Sequence, residues 1–156
     1  MICQNCGIEA PTRKVAFYQN IGALVVRFSQ GVDGLLCKNC IHKSFWRMTL
    51  TTLILGWWGI ISLIVTPIFL LNNIFRYLFS LSMPPVPEDA VVPQLTDDDR
   101  RKIIPHVESL FDRLNEETAD LTEIANEFAT RIGVTPGQIV LAIREIATEA
   151  QAENPT

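Results

Sequence analysis

All four cysteines of the chain fall in two Cys-x-x-Cys knuckles, Cys3-Gln4-Asn5-Cys6 and Cys37-Lys38-Asn39-Cys40. Two thiolates separated by two residues can grip one ion from a single tight turn, and a second such turn completes a tetrahedral set of four sulfurs. The spacing predicts one structural metal ion held by Cys3, Cys6, Cys37 and Cys40. Zinc is the first choice; iron, bound by four thiolates as in a rubredoxin, is the rival. Against iron, the second knuckle runs on into Ile41, where rubredoxin-like knuckles usually place glycine. Two disulfides are the other use of four cysteines, but a bridge within Cys-x-x-Cys is more often strained and redox-active than structural. His42 follows Cys40 by two residues, yet a four-thiolate site has no vacancy for it, and it reads as an interfacial polar residue beside Lys43.

The residues outside the knuckles show no nucleophile paired with a base, no glycine-rich phosphate loop and no open metal position. The expectation is a non-enzymatic protein with no catalytic residues and no cofactor beyond the metal. His106, Glu108, Asp112, Glu116 and Glu117 read as the solvated face of a helix rather than an acid–base or metal site.

The elements around the knuckles are several small pieces: a small β zinc ribbon over residues 1–42, a membrane helix within 43–83, a Pro-rich linker over 84–95, an acidic α-helical bundle over 96–150 and a tail over 151–156. Between the knuckles Val15 and Phe17 alternate with Ala16 and Tyr18, and Leu24, Val26 and Phe28 alternate with Val25, Arg27 and Ser29, which is β-hairpin patterning. Strands this short bury too little to fold alone, so metal binding must supply folding free energy. Gly7 suits a turn whose amides point at sulfur. Phe17, Tyr18 and Phe28 are expected to pack in the small core or against lipid.

From Leu50 through Leu71 the chain carries no charge, a length that crosses a hydrocarbon core of about 30 Å at ~1.5 Å per residue. Trp46 marks one interface, whereas Trp57 and Trp58 sit mid-run between Gly56 and Gly59, where close helix approach and self-association are options. Pro67 is expected to kink the helix or begin a new one. Residues 67–82 then read as an amphipathic helix in the interface, with a hairpin returning the chain to its starting side as the alternative. Lys38, Lys43 and Arg47 precede the run and only Arg76 follows closely, which predicts a cytoplasmic ribbon. Met1-Ile2-Cys3 leaves no room for a signal peptide ahead of the first ligand. The expected location is the cell (inner) membrane.

Residues 1–93 carry seven Lys/Arg against four Asp/Glu, net +3, and residues 94–156 carry six against thirteen, net −7, which together give the −4 of the whole chain. So acidic a C-terminal segment lacks the basic face that phosphate contacts need. Thr96 is placed to cap a helix whose first turn holds Asp97, Asp98 and Asp99. Ile103, Val107, Leu110, Phe111 and Leu114 recur at helical spacing, with Pro105 interrupting them. Two further helices follow, one bearing Leu121, Ile124, Phe128 and Ile132, the other Ile139, Ile143 and Ile146. Residues 121–148 resemble a helix-turn-helix core through Ala129, Gly133, Val134 and Ile139. Its second helix, however, offers Gln138 and a single basic residue, Arg144, ahead of Glu145 and Glu149, so no nucleic-acid partner is expected. Val140 and Leu141 read as exposed and available to a protein.

Residues 1–83 also resemble a group of bacterial zinc-ribbon membrane proteins of uncharacterised function. The resemblance rests on Cys3-x-x-Cys6-Gly7, Phe17-Tyr18-Gln19-Asn20-Ile21-Gly22, Leu36-Cys37-Lys38-Asn39-Cys40, Thr51-Thr52-Leu53, Gly56-Trp57-Trp58-Gly59, Thr66-Pro67 and Asn72-Asn73-Ile74. It implies architecture only. The leading expectation for function is a membrane-anchored adaptor or assembly factor whose partners are lipid and protein, with self-association through the membrane helix a further option. A membrane-bound redox or metal-sensing protein using the four cysteines, and a membrane-tethered transcription regulator, stand as alternatives.

Overall fold

The computed structural model describes residues 1–23, 26–116 and 119–153. Leu24 and Val25, read above as strand, Glu117 of the solvated helix face and the last three residues of the tail lie outside the described residues. The chain divides into two units, residues 11–86 and residues 1–10 with 87–156.

In the unit of residues 11–86, β1 (Thr12–Ala23) and β2 (Val26–Cys37) pair antiparallel in a register running from Thr12↔Cys37 to Ala23↔Val26. They are followed by α1 (Lys38–Leu55) and α2 (Ile60–Ser80). The two helices run antiparallel, because Phe45 stacks on Tyr77, Thr49 meets Asn73, and Gly56 meets Thr66. The uncharged run expected to form one helix over 50–71 is therefore divided at Gly56–Gly59. Gly56 allows this: a Cβ there would collide with the Thr52 carbonyl and the Thr66 hydroxyl, so only a glycine lets α2 return this closely. Residues 67–82, expected as a separate interfacial helix, continue α2 instead, and Pro67 sits within that helix with its ring exposed.

α2 is turned inside out relative to a helix of a water-soluble core. It buries Ser62, Thr66, Asn73 and Ser80 and exposes Ile60, Ile64, Ile68, Leu71, Phe75 and Phe79. Asn73, with its neighbour Asn72 and with Thr52 of α1, serves the free edge of β1, whereas Ser80 donates to the Tyr77 carbonyl within α2. Asn73 accepts from the Tyr18 amide (3.0 Å) and donates to the Tyr18 carbonyl (2.8 Å), while Asn72 donates to the Ala16 carbonyl (3.0 Å). The Asn20 amide donates to the Thr52 hydroxyl (3.0 Å), and the Asn20 side chain donates to Thr66 (3.1 Å). An edge strand without such partners would leave buried backbone groups unpaired. Since Ala16, Tyr18 and Asn20 point at the helices, their partners Asp33, Gly31 and Ser29 direct their own backbone groups to the opposite, outer edge of β2.

The second unit joins the first ten residues to the C-terminal helices. α3 (Asp97–Ile103) starts at a capping box in which Thr96 and Asp99 satisfy each other's backbone amides. Those hydrogen bonds from Thr96 hold the Asp99 carboxyl below its ordinary range. A 3-10 turn at Ile104–His106 places the expected interruption at Pro105, and α4 (Val107–Leu114) resumes the stripe. α5 (Leu121–Ile132), capped by Asp120, ends at Gly133 in the left-handed conformation (φ 81°), and α6 (Pro136–Glu153) follows.

Ile103, Leu110, Ile124, Phe128, Ile139 and Ala142 form the core, joined by Ile2 from the N-terminus. Val140, expected on the surface, is 2 % exposed in this core and Leu141 is half-buried. The period of α6 had been assigned a single buried face, but a helix packed on two sides also buries the position next to Ile139.

Gly7 (φ 71°) and Gly137 meet backbone to backbone: a Cβ on Gly7 would lie 2.6 Å from the Gly137 carbonyl oxygen, and one on Gly137 would strike the Gly7 carbonyl. Gly137→Ala is expected to destabilise this unit by roughly 1–3 kcal/mol through overpacking. Thermal unfolding checks it, and an unchanged midpoint would show that the two backbones separate freely.

Candidate metal centre

The first knuckle is a closed turn. Ile2 and Glu9 bridge antiparallel, the Ala10 amide donates to the Met1 carbonyl (3.1 Å), and the Cys3 amide donates to the Ile8 carbonyl (2.9 Å). The Gly7 amide, read from sequence as directed at sulfur, donates to the Cys3 carbonyl at 2.8 Å. A positive φ at that position turns the chain back, which is the physical need for glycine. The second knuckle is a strand-to-helix junction. Cys37 ends β2 and occupies the N-cap of α1, and Cys40 lies in the first helical turn. A spacing of three on a helix start sets both side chains on one side. The N-terminal end of a helix also favours negative charge, as thiolate ligands require.

The sulfur atoms of the four cysteines all lie within 4.8 Å of one another. Cys3, Cys37 and Cys40 are buried and Cys6 is half-buried. Four thiolates around a tetrahedral ion at a metal–sulfur distance of about 2.3 Å stand about 3.8 Å apart. The cluster is thus within small side-chain movements of a metal-binding set. The donor chemistry fits zinc, commonly bound by four thiolates, and also fits iron. Every residue chosen from the spacing of the sequence belongs to this cluster.

The second knuckle rests on packed side chains. Ile41, Phe45 and Met48 are buried along α1, and the Phe45 ring lies 6.2 Å from that of Phe17, which is itself fully buried. Tyr18 instead packs on Phe69 (5.3 Å) and Phe28 is exposed. Lys38 donates to the carbonyls of Leu81 (3.2 Å) and Met83 (2.8 Å) and so ties the start of α1 to the chain leaving α2. The lysine bonds had no signal in the sequence, because they depend on the return of α2. His42 is engaged away from a ligand role: its Nδ1 lies 2.7 Å from the Tyr77 hydroxyl.

The charged groups of the C-terminal helices pair among themselves. Arg100 bonds Asp97 and Glu145, Arg113 bonds Glu116 and approaches Glu127 at 3.5 Å, and Lys102 bonds Asp98. Arg144, the one cation in the first half of α6, donates to the Asn5 carbonyl. No protein-family model matches the chain, and no curated protein or solved structure was found to be similar to it.

Proposed function

We propose that this chain is a membrane-anchored zinc protein acting as a non-enzymatic adaptor or assembly factor. The membrane part of the reading rests on the inverted character of α2. This helix is long and apolar enough, by length and composition, to cross a membrane, and only 17 % of its apolar window is buried. Its polar residues face inward while its outward face is isoleucine, leucine and phenylalanine. In water such a face is a large unexplained apolar patch; in lipid it is the expected surface. The hairpin of α1 and α2 returns the chain to its starting end, which supports both ends lying on the cytoplasmic side of the inner membrane.

The adaptor part rests on β2. Ser29, Gln30, Gly31 and Asp33 are exposed along it, and its outer backbone edge has no strand beside it among the described residues. Such an edge accepts a partner's strand through main-chain hydrogen bonds. The internal use of Arg100 and Arg144 and the burial of Val140 support the absence of a nucleic-acid partner.

Extraction of membranes at alkaline pH is expected to leave the chain in the pellet, with one equivalent of zinc in the purified protein. Release into the supernatant would defeat the membrane reading. The half-burial of Cys6 favours redox or metal sensing as the second reading, since an accessible thiolate can exchange or oxidise. Iron with visible absorption, or metal that cycles with oxidant, would select it.

A further inference from the structure

Five carbonyls at the turn between α1 and α2 take donors from within the unit. The Gly56 amide donates to the Thr52 carbonyl (2.8 Å), the Trp57 indole to the Leu53 carbonyl (2.7 Å) and the Trp58 indole to the Ile54 carbonyl (3.3 Å). The Thr66 hydroxyl donates to the Gly56 carbonyl (2.7 Å), and the Leu63 amide donates to that of Gly59 (2.8 Å). At a water-facing helix end, solvent satisfies the last carbonyls. In hydrocarbon only internal donors can do so. Two indole N–H groups spent on neighbouring helix carbonyls suit the second environment, and the surface beside them is apolar: Trp58, Ile60 and Ile61 are 69 %, 84 % and 61 % exposed.

The outer face of α1 changes along its length. Lys43 and Arg47 are exposed in the stretch up to its middle, and Leu50, Leu53 and Ile54 in the stretch beyond. Because Thr49 lies level with Asn73, the charged part of α1 ends near the level of Phe75 and Arg76 on α2. From Ile60 to Phe75 the helix rises about 22 Å at 1.5 Å per residue, short of a hydrocarbon core of about 30 Å. The basic residues at the wide end, Lys43, Arg47 and Arg76, match anionic headgroups. One cation, Arg27, belongs by register to the turn end, where it pairs with Gly22.

We propose that the α1–α2 hairpin enters the bilayer at the level of Lys43, Arg47 and Arg76, turns inside the hydrocarbon at Gly56–Gly59, and leaves through the same face. This rests on the membrane reading above and goes beyond it, since a hairpin that crossed fully would expose its turn to water on the far side.

The test uses the full-length Trp46→Phe protein, in which Trp57 and Trp58 report the turn, reconstituted in phosphatidylcholine–phosphatidylglycerol vesicles. Lipids brominated deep in the acyl chain are expected to quench its fluorescence at least about two-fold more than lipids brominated near the headgroup, with iodide ineffective from either side. In the companion Ile60→Asp variant, a charge placed on an exposed position should release the protein from alkaline-washed membranes. Stronger quenching by shallow bromines, with iodide access from the far side and Ile60→Asp retained in the pellet, would overturn the proposal and leave the membrane reading standing. A chain unquenched by any lipid and recovered in the supernatant would overturn both.

Discussion

On the zinc reading proposed above, Cys37→Ser is expected to lower bound zinc from one equivalent per chain to below about a tenth, because a structural site worth on the order of 10–16 kcal/mol is not maintained by three thiolates and a hydroxyl. This position isolates the metal from other effects. Cys37 is the N-cap of α1, and serine is among the preferred N-caps, so the helix start gains a good capping residue while the site loses a ligand. Loss of hydrogen-exchange protection around Cys3, Cys6 and Cys40 would follow from the missing ion rather than from a damaged helix. α2 is untouched, so the variant should still pellet with membranes. Metal analysis decides the matter: zinc content equal to that of the unsubstituted protein would remove Cys37 from the ligand set.

The other large effect is expected from Asn73→Leu. Asn73 is fully buried, and its side chain satisfies both the amide and the carbonyl of Tyr18 at the edge of β1. Leucine has the same branched shape, though it is larger, and leaves both backbone groups unpaired where water does not reach, at a cost of roughly 2–5 kcal/mol for the two. Asn73→Asp is a more discriminating companion. It keeps an acceptor for the Tyr18 amide but loses the donor for the carbonyl and buries a charge, so it should be no more stable than the leucine variant. Thermal or denaturant unfolding in detergent measures both. A change below about 0.5 kcal/mol would mean that the β1 edge is satisfied some other way.

The legible parts of this protein were those whose causes are local. Two Cys-x-x-Cys knuckles declare a four-sulfur cluster because each pair of ligands is fixed by one turn, and the cluster needs only that the two turns meet. The strands were legible from their alternation, and the C-terminal helices from their apolar spacing, the Thr96 cap and Gly133. An interruption at Pro105 followed from an amide that is missing, and the structure makes it a 3-10 turn.

Other features came only from tertiary structure. The uncharged run of residues 50–71 has the same composition whether it forms one helix or two, so its division at Gly56–Gly59 depended on Thr66 closing against Gly56. Asn73 acquires its meaning once a strand edge lies against it and requires both a donor and an acceptor. Ile2 sits beside the first ligand in the chain but packs with Ile103, Phe128 and Ile139. Val140 was misplaced for the same reason: periodicity reports how many faces of a helix are apolar, but the partners packed on those faces are brought together over separations at which the sequence carries no local signal.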